Sequence, residues 1–434
     1  MAYHAAGDFL KRLIPLLIVC SWSFACQDSG NTGGRPTPGP SATKRAPAQS
    51  AATDHDDLER LRALGYLDYS EEIPQAPGAG TQFLDQQRAF PGSTLVIYGG
   101  TCSAELITLE GQVLNSWSMG SCRRWDQAVL GSDGSLLVVG SRSDTNRPVS
   151  EQMESSFLIK LSWSNEVLWQ RKLPAHHDVE ILPEGDMLTL LLKRRMVEAV
   201  DPEAEVWDNP IGHLDSEGQL IEEISLYDIL AAPSSGFPLR ITGRGSAQGE
   251  RWIDLLHCNE IEVVGHTEMA ARHPIYSDDH LLITSRSQDM VMVVNWRTRE
   301  LIWHWGQGQL SGPHGATVLT NGNLLIFDNG LEQRWSRVIE LDPVNERIVN
   351  ELGPPNRSEF FSRVMGAAQG LPNGNVLITN SAGGQGLELT ATGLPAWVFM
   401  GTHRTDDGYR IKIPRMTRIS TAKTKALLDH MQRR

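Results

Sequence analysis

The chain has 434 residues and a formal net charge of −13, which exceeds one ordinary domain and argues against broad nucleic-acid binding, since that requires a basic surface. Its 40 glycines and 12 tryptophans suit a fold in which tight turns and large aromatic fillers recur, and its five cysteines do not define a disulfide scaffold.

At the N-terminus, Lys11 and Arg12 precede an apolar run from Leu13 to Ala25, and Cys26 follows at once. Residues 1–26 therefore read as an export signal, because a run of 13 residues is short for a membrane span. The cysteine suggests a lipoprotein acylated at Cys26, although Ser23 and Phe24 depart from the usual approach to such a site. Residues 27–56, rich in Gly, Pro, Ser, Thr and Ala, are expected to form a disordered tether. Within a docking segment at 57–90, Leu58, Leu61 and Leu64 share one side of a short helix that Gly65 ends. Together these features place the protein in a bacterial envelope, periplasmic or anchored to the outer membrane. In that oxidising compartment Cys102 and Cys122 are free to pair, while Cys258 has no evident partner.

Residues 91–402 repeat. In four segments a glycine follows the opening residue by eight positions: Asp126 to Gly134, His177 to Gly185, His314 to Gly322 and Gly366 to Gly374. Each glycine follows Asp, Glu or Asn between apolar runs, which signals a tight hairpin. The unit opening at His257 begins the same way but takes a longer excursion before Leu281. A second hairpin closes each unit, often carrying tryptophan, as at Trp117, Trp169 and Trp303. A period of about 50 residues with four strands predicts an all-β, six-bladed β-propeller, with one partial unit from Ser93 to Trp117 and five opening at Asp126, His177, His257, His314 and Gly366. Residues 227–256 read as a loop at the channel mouth, with a short helix near Leu226 to Leu230 and with Phe237 and Trp252 available to stack on a ligand or to pack. Residues 403–434 form a basic extension, in which nine Lys or Arg after Gly401 face three acidic residues, ending in a solvated helix near Ser420 to Gln432.

In a propeller the innermost strands line a central channel, so His177, His257 and His314 are expected to converge there. Three converging imidazoles suit either general acid–base and nucleophilic chemistry or a transition-metal site of a hydrolase. A non-enzymatic propeller that binds a partner or polysaccharide is a third reading.

Four ordered motifs then carry a resemblance. His176 to Asp178, Asp254 to Ile261 with His257 and Asn259, Ser285 with Arg286, and His314 followed by Phe327 to Gly330 and Ser336 to Val338 resemble the bacterial arylsulfotransferases. The resemblance spans roughly residues 90–400. It implies a six-bladed propeller with a channel site that moves a sulfuryl group from an aryl sulfate ester to a phenol, without a nucleotide donor, cofactor or metal. It further implies that His314 is the nucleophile of a ping-pong reaction through a sulfohistidine. Catalysis then rests on His314, His257 and Arg286, and substrate binding on Asn259 and His177, with the donors aimed at the sulfuryl oxygens. Asp254 is a candidate to orient His257. Asp328, Asn329, Ser336 and Arg337 read as structural. The chain departs from its relatives at Pro313, where they tend to carry Gln, and at Glu260, where they carry Ser. Strand alternation predicts that Glu260 faces away from His257 or lies near the rim.

Overall fold

A computed structural model describes residues 69–74 and 78–433, apart from 121, 143–154, 248–249, 266–267, 272 and 354–359. The export signal, Cys26, the tether and the helix expected at 57–65 lie outside the described residues.

The fold is built almost entirely of small antiparallel sheets. Among the described residues, six of them are meanders whose strands run in order from an inner to an outer edge. The second contains Arg124–Leu130, Leu136–Ser141, Ser156–Leu161 and Val167–Lys172. The third contains Ala175–Ile181, Met187–Leu191, Ile211–Leu214 and Leu220–Ile224, and the fourth Cys258–Val263, His280–Ser285, Met290–Asn295 and Glu300–Trp305. In the fifth are Gly315–Val318, Leu324–Asp328, Arg337–Asp342 and Arg347–Leu352. The sixth has Ala367–Gly370, Val376–Asn380, Gln385–Leu389 and Pro395–Met400, with Gly80–Leu84 added as a fifth strand at its outer edge.

The first sheet is completed from both ends of the folded chain. Gly92–Tyr98, Ser103–Ile107 and Val113–Ser118 receive Met416–Ser420 as their innermost strand. Part of the basic C-terminal extension is thus a structural strand. The terminal helix runs Thr421–Gln432, is capped by the Ser420 hydroxyl, and buries Leu427 among residues of the first two sheets. Where the chain ends meet, Arg418 Nη1 donates to Glu388 Oε2 at 2.9 Å, and both side chains are fully buried. Glu388 Oε1 also accepts from Phe90 N and Asn375 Nδ2.

Burial follows the sequence pattern. Second strands such as Leu136–Ser141 and His280–Ser285 are buried at every residue because sheets pack on both faces, whereas the outer strand Arg347–Leu352 alternates. Tryptophans bridge neighbours: Trp117 Nε1 donates to Ser162 O of the second sheet and Trp397 Nε1 to Leu109 O of the first. The glycines expected in the first hairpins, Gly134, Gly185, Gly322 and Gly374, all adopt positive φ, between 82° and 97°. From the second sheet to the sixth each inner strand packs beside the next, the sixth packs on Met416–Ser420, and Gly92–Tyr98 packs on Arg124–Leu130, so the contacts close in a cycle. A disulfide joins Cys102 to Cys122, as the compartment reading allowed, and Cys258 is free and buried.

The stretch expected as a recognition loop at 227–256 is largely ordered structure. Leu226–Ala231 is helical, and Arg244–Ala247 pairs with Glu250–Ile253 in a further sheet completed by Lys193–Val197 and Asp201–Asp208. Here Trp252 stacks on Trp207 and Phe237 meets His304 edge-on, both largely buried, so both aromatics pack.

Candidate active site

The position of each inner-strand side chain is set by its distance from the hairpin. The closing pairs are Leu130 with Leu136, Ile181 with Met187, Val263 with Leu281, Val318 with Leu324 and Gly370 with Val376. Four residues before them stand Asp126, His177, Asn259, His314 and Gly366. The equivalent of His177 and His314 in the fourth sheet is therefore Asn259, and His257 enters two residues earlier. Bulges interrupt the ladder at Asp126, at His177 with Asp178, and at Asn259, freeing these residues from strand alternation. His177 and His257 have φ of 62° and 46°, left-handed values uncommon for histidine that cluster at functional sites. At the same level Gly366 lets the Phe327 ring approach the backbone, since a Cβ there would lie 2.3 Å from that ring.

His314 is held from every side. The segment leading to it is clamped by Asp328, whose Oδ1 accepts from Ser311 N at 2.9 Å, and by Asp289, whose Oδ1 accepts from Gly312 N at 2.7 Å. His314 N donates to Phe327 O. Its Nδ1 faces two acceptors, Asn329 Oδ1 at 2.7 Å and Gly312 O at 3.3 Å. The orientation of Asn329 is fixed, since its Nδ2 donates to Ser362 O and Met365 O, both at 2.7 Å. His314 Nδ1 therefore carries the proton, and in the neutral ring Nε2 keeps a lone pair. Neutrality is enforced: burial, then the charge of Arg286 and the proximity of His257, hold the His314 pKa well below the ordinary histidine value.

His257 lies beside these groups, and its carbonyl accepts from Arg286 N at 3.1 Å. The left-handed turn at His257 folds Asp254 back, so that Asp254 Oδ2 accepts from His257 Nδ1. That contact orients the ring. His177 lies against His257 with ring centroids 5.3 Å apart, and its Nδ1 is 2.5 Å from His176 Nδ1. Burial, with neighbouring His176, His257, Arg124 and His314, depresses the His177 pKa strongly. The structure thus brings His177, His257, Arg286 and His314 into one electrostatic cluster. Asn259 adjoins it by donating from Nδ2 to Pro313 O at 3.3 Å, while its Oδ1 is buried with no hydrogen-bond partner among the described residues.

Glu260 does not lie at an exposed rim. Because the bulge at Asn259 breaks alternation, Glu260 is buried, accepts from Ala316 N of the fifth sheet at 3.1 Å, and pairs with Arg415 Nη2 at 2.7 Å. Neighbours repeat the device: Asp178 accepts from Ile261 N, Glu180 from Val263 N, Glu262 from Val318 N and Gln369 from Arg418 N. These side chains satisfy backbone donors along inner edges that carry no further strand.

Arg337 is structural as expected, bonding Asp328, Glu351 and Gln309 O. Asn329, expected to be structural, instead sets the state of His314. Arg124 near His177 and Arg415 had no signal in the repeat pattern, since Arg415 stands just before a strand taken as tail. Among the described residues no group of three His, Cys, Asp or Glu is arranged to hold a metal.

The match to known families decides the class. Residues 152–401, more than half the chain, match the arylsulfotransferase (ASST) family. The chain belongs to the arylsulfotransferase family. At family level this implies a transferase-like enzyme on aryl sulfate and phenol substrates. No curated protein matches the chain. Among solved structures it is similar to a protein of unknown function from Bacteroides caccae, at 14% identity and TM-score 0.46, covering 75% of this chain and 98% of that one. A streptogramin B lyase shows 12% identity and TM-score 0.42 over 81% and 97% of the two chains. The WD40 β-propeller domain of Doa1 shows 10% identity and TM-score 0.35 over 78% and 98%.

Proposed function

We propose that the six meander sheets are blades of a six-bladed propeller, and that its channel transfers a sulfuryl group from an aryl sulfate ester to a phenol through a sulfohistidine at His314. The observation that carries this reading is the fixed protonation of His314, whose Nδ1 is committed to Asn329 Oδ1 and Gly312 O. A neutral imidazole with a free Nε2 is the nucleophilic form.

In the first half-reaction His314 Nε2 attacks sulfur, the bond from sulfur to the phenolic oxygen breaks, and His257 gives that oxygen its proton. In the second, a phenol oxygen attacks the sulfohistidine, the nitrogen–sulfur bond returns its electron pair to His314, and the phenol's proton passes to His257, which restores it for the next cycle. Arg286, permanently charged, stabilises the sulfuryl oxygens as charge spreads over them. Asp254 keeps His257 oriented, as the carboxylate does in hydroxyl–histidine–carboxylate triads. The Cys102–Cys122 disulfide supports an exported location in an oxidising envelope compartment, with Cys26 as the lipid anchor.

The test is release of a chromogenic phenol from its sulfate ester, with and without a second phenol. We expect acceptor-dependent turnover and a radiolabelled or mass-shifted His314 peptide after donor alone. In His314→Ala both should vanish, with turnover down by at least about 10³-fold. Wild-type protein with no acceptor-dependent release would overturn the reading.

A further inference from the structure

The hydrogen-bond directions around His177 point to a role different from that of a sulfuryl clamp. His176 Nε2 lies 3.0 Å from Leu191 O. A carbonyl can only accept, so His176 Nε2 carries a proton. Asn209 Nδ2 is also 3.3 Å away, its orientation fixed by Cys258 N donating to Asn209 Oδ1, but the carbonyl is closer and an imidazole lone pair facing it would be repelled. Burial drives the His176 pKa down to about 4, so the ring is neutral and its Nδ1 is a lone pair. At 2.5 Å the two Nδ1 atoms require one proton between them, and it must come from His177. His177 Nε2 is then the unprotonated nitrogen, with no hydrogen-bond partner among the described residues.

A second observation points the same way. Asn259 stands at the equivalent position on the adjoining inner strand, is 6% exposed, and uses Nδ2 on Pro313 O, which leaves its buried Oδ1 unpaired. Two neighbouring blades thus offer acceptors at one level. Acceptors repel sulfuryl oxygens and attract a hydroxyl hydrogen.

We propose that His176 is a positioning residue that locks His177 as an acceptor, and that His177 Nε2 and Asn259 Oδ1 receive the O–H of a neutral phenolic acceptor. The inference rests on the sulfotransferase reading for the identity of the ligand, but the lock itself is independent of it. Selection of the neutral phenol over the phenolate follows, because only the neutral form can donate.

Full-length protein labelled with ¹⁵N-histidine, with His177 assigned through His177→Gln, reports the tautomers directly. We expect the Nδ1–H form for His177 in wild type, loss of that preference in His176→Phe, and displacement of the His177 signal by phenol but not by anisole, which lacks the hydroxyl. In turnover, His176→Phe should raise the KM for phenol about tenfold while kcat falls less than about threefold. An Nε2–H tautomer in wild type, an unaltered tautomer in His176→Phe, or equal responses to phenol and anisole would each overturn the proposal. Should wild type transfer no sulfuryl group while phenol still shifts His177 selectively, the sulfotransferase reading alone fails and the acceptor site stands.

Discussion

Two levels of the same inner strands behave in opposite ways. At the level of His177, Asn259 and His314, each side chain has one face tied down and another atom free, namely Nε2 of either ring or Oδ1 of the amide. Further along, Asp178, Glu180, Glu260 and Glu262 spend their carboxylates on backbone donors of the next sheet. The difference separates chemistry from closure. A polar group buried in a channel is functional when its partners fix it yet leave an atom over, and architectural when nothing is left.

The sharpest way to break that distinction is at Asn329, which lies outside the free level but fixes its nucleophile. Asn329→Ala removes the acceptor for His314 Nδ1 and lets the proton move to Nε2. Turnover should fall roughly 10²-fold with little change in KM, as expected when a tautomer is lost. Steady-state kinetics, with thermal denaturation to verify folding, checks it. An activity loss that tracks only a loss of folded protein would return Asn329 to the architectural class.

Much of this division was legible beforehand, and the remainder was hidden for definable reasons. Hairpin glycines, apolar runs and tryptophans revealed the repeats because local turn chemistry enforces them, as Gly134 and Gly322 show. His177 and His314 shared a register in the sequence because no insertion separates either from its hairpin. The bulges are not legible, since one extra residue leaves no compositional mark, so the burial of Glu260 and the place of Asn259 as counterpart of His177 emerge only in the structure. Arg415 was missed because closure by a C-terminal strand pairs residues more than 300 positions apart, and no local pattern announces it.

Arg415 tests the architectural level. Arg415→Met strands Glu260 among Asp178, Glu180 and Glu262, and should cost about 3 kcal/mol at pH 8. The loss should shrink at pH 6, where Glu260 takes up a proton instead. Chemical denaturation at the two pH values measures it, and kcat/KM should change less than about tenfold. A larger catalytic than structural effect would mean that the carboxylate level also acts on the substrate.

The smallest effect, and the most specific, is the pH dependence of stability, where the two levels have opposite signs. For His176, with pKa about 4, and for His177 and His314, burial makes the folded pKa lower than the unfolded one. The unfolded chain then binds more protons, so these rings add stability as pH rises from about 4 toward the ordinary histidine value near 6.5. Glu180 is pushed up to about 8, chiefly by burial and then by Asp178 and Glu260, and Glu262 is raised well above the carboxylate range. Here the native state binds the extra proton, so stability is lost as pH rises through the window from the ordinary carboxylate value to about 8. Above pH 6.5 the histidine contribution is complete and only the carboxylate slope remains. The midpoint temperature should therefore fall by roughly 3 °C between pH 6.5 and 8.5, and Glu180→Gln should flatten part of that fall because an amide makes no charge to desolvate. A wild-type midpoint that rises across this interval would show that Arg415 already offsets the whole cluster, and would place the buried carboxylates in their charged form throughout.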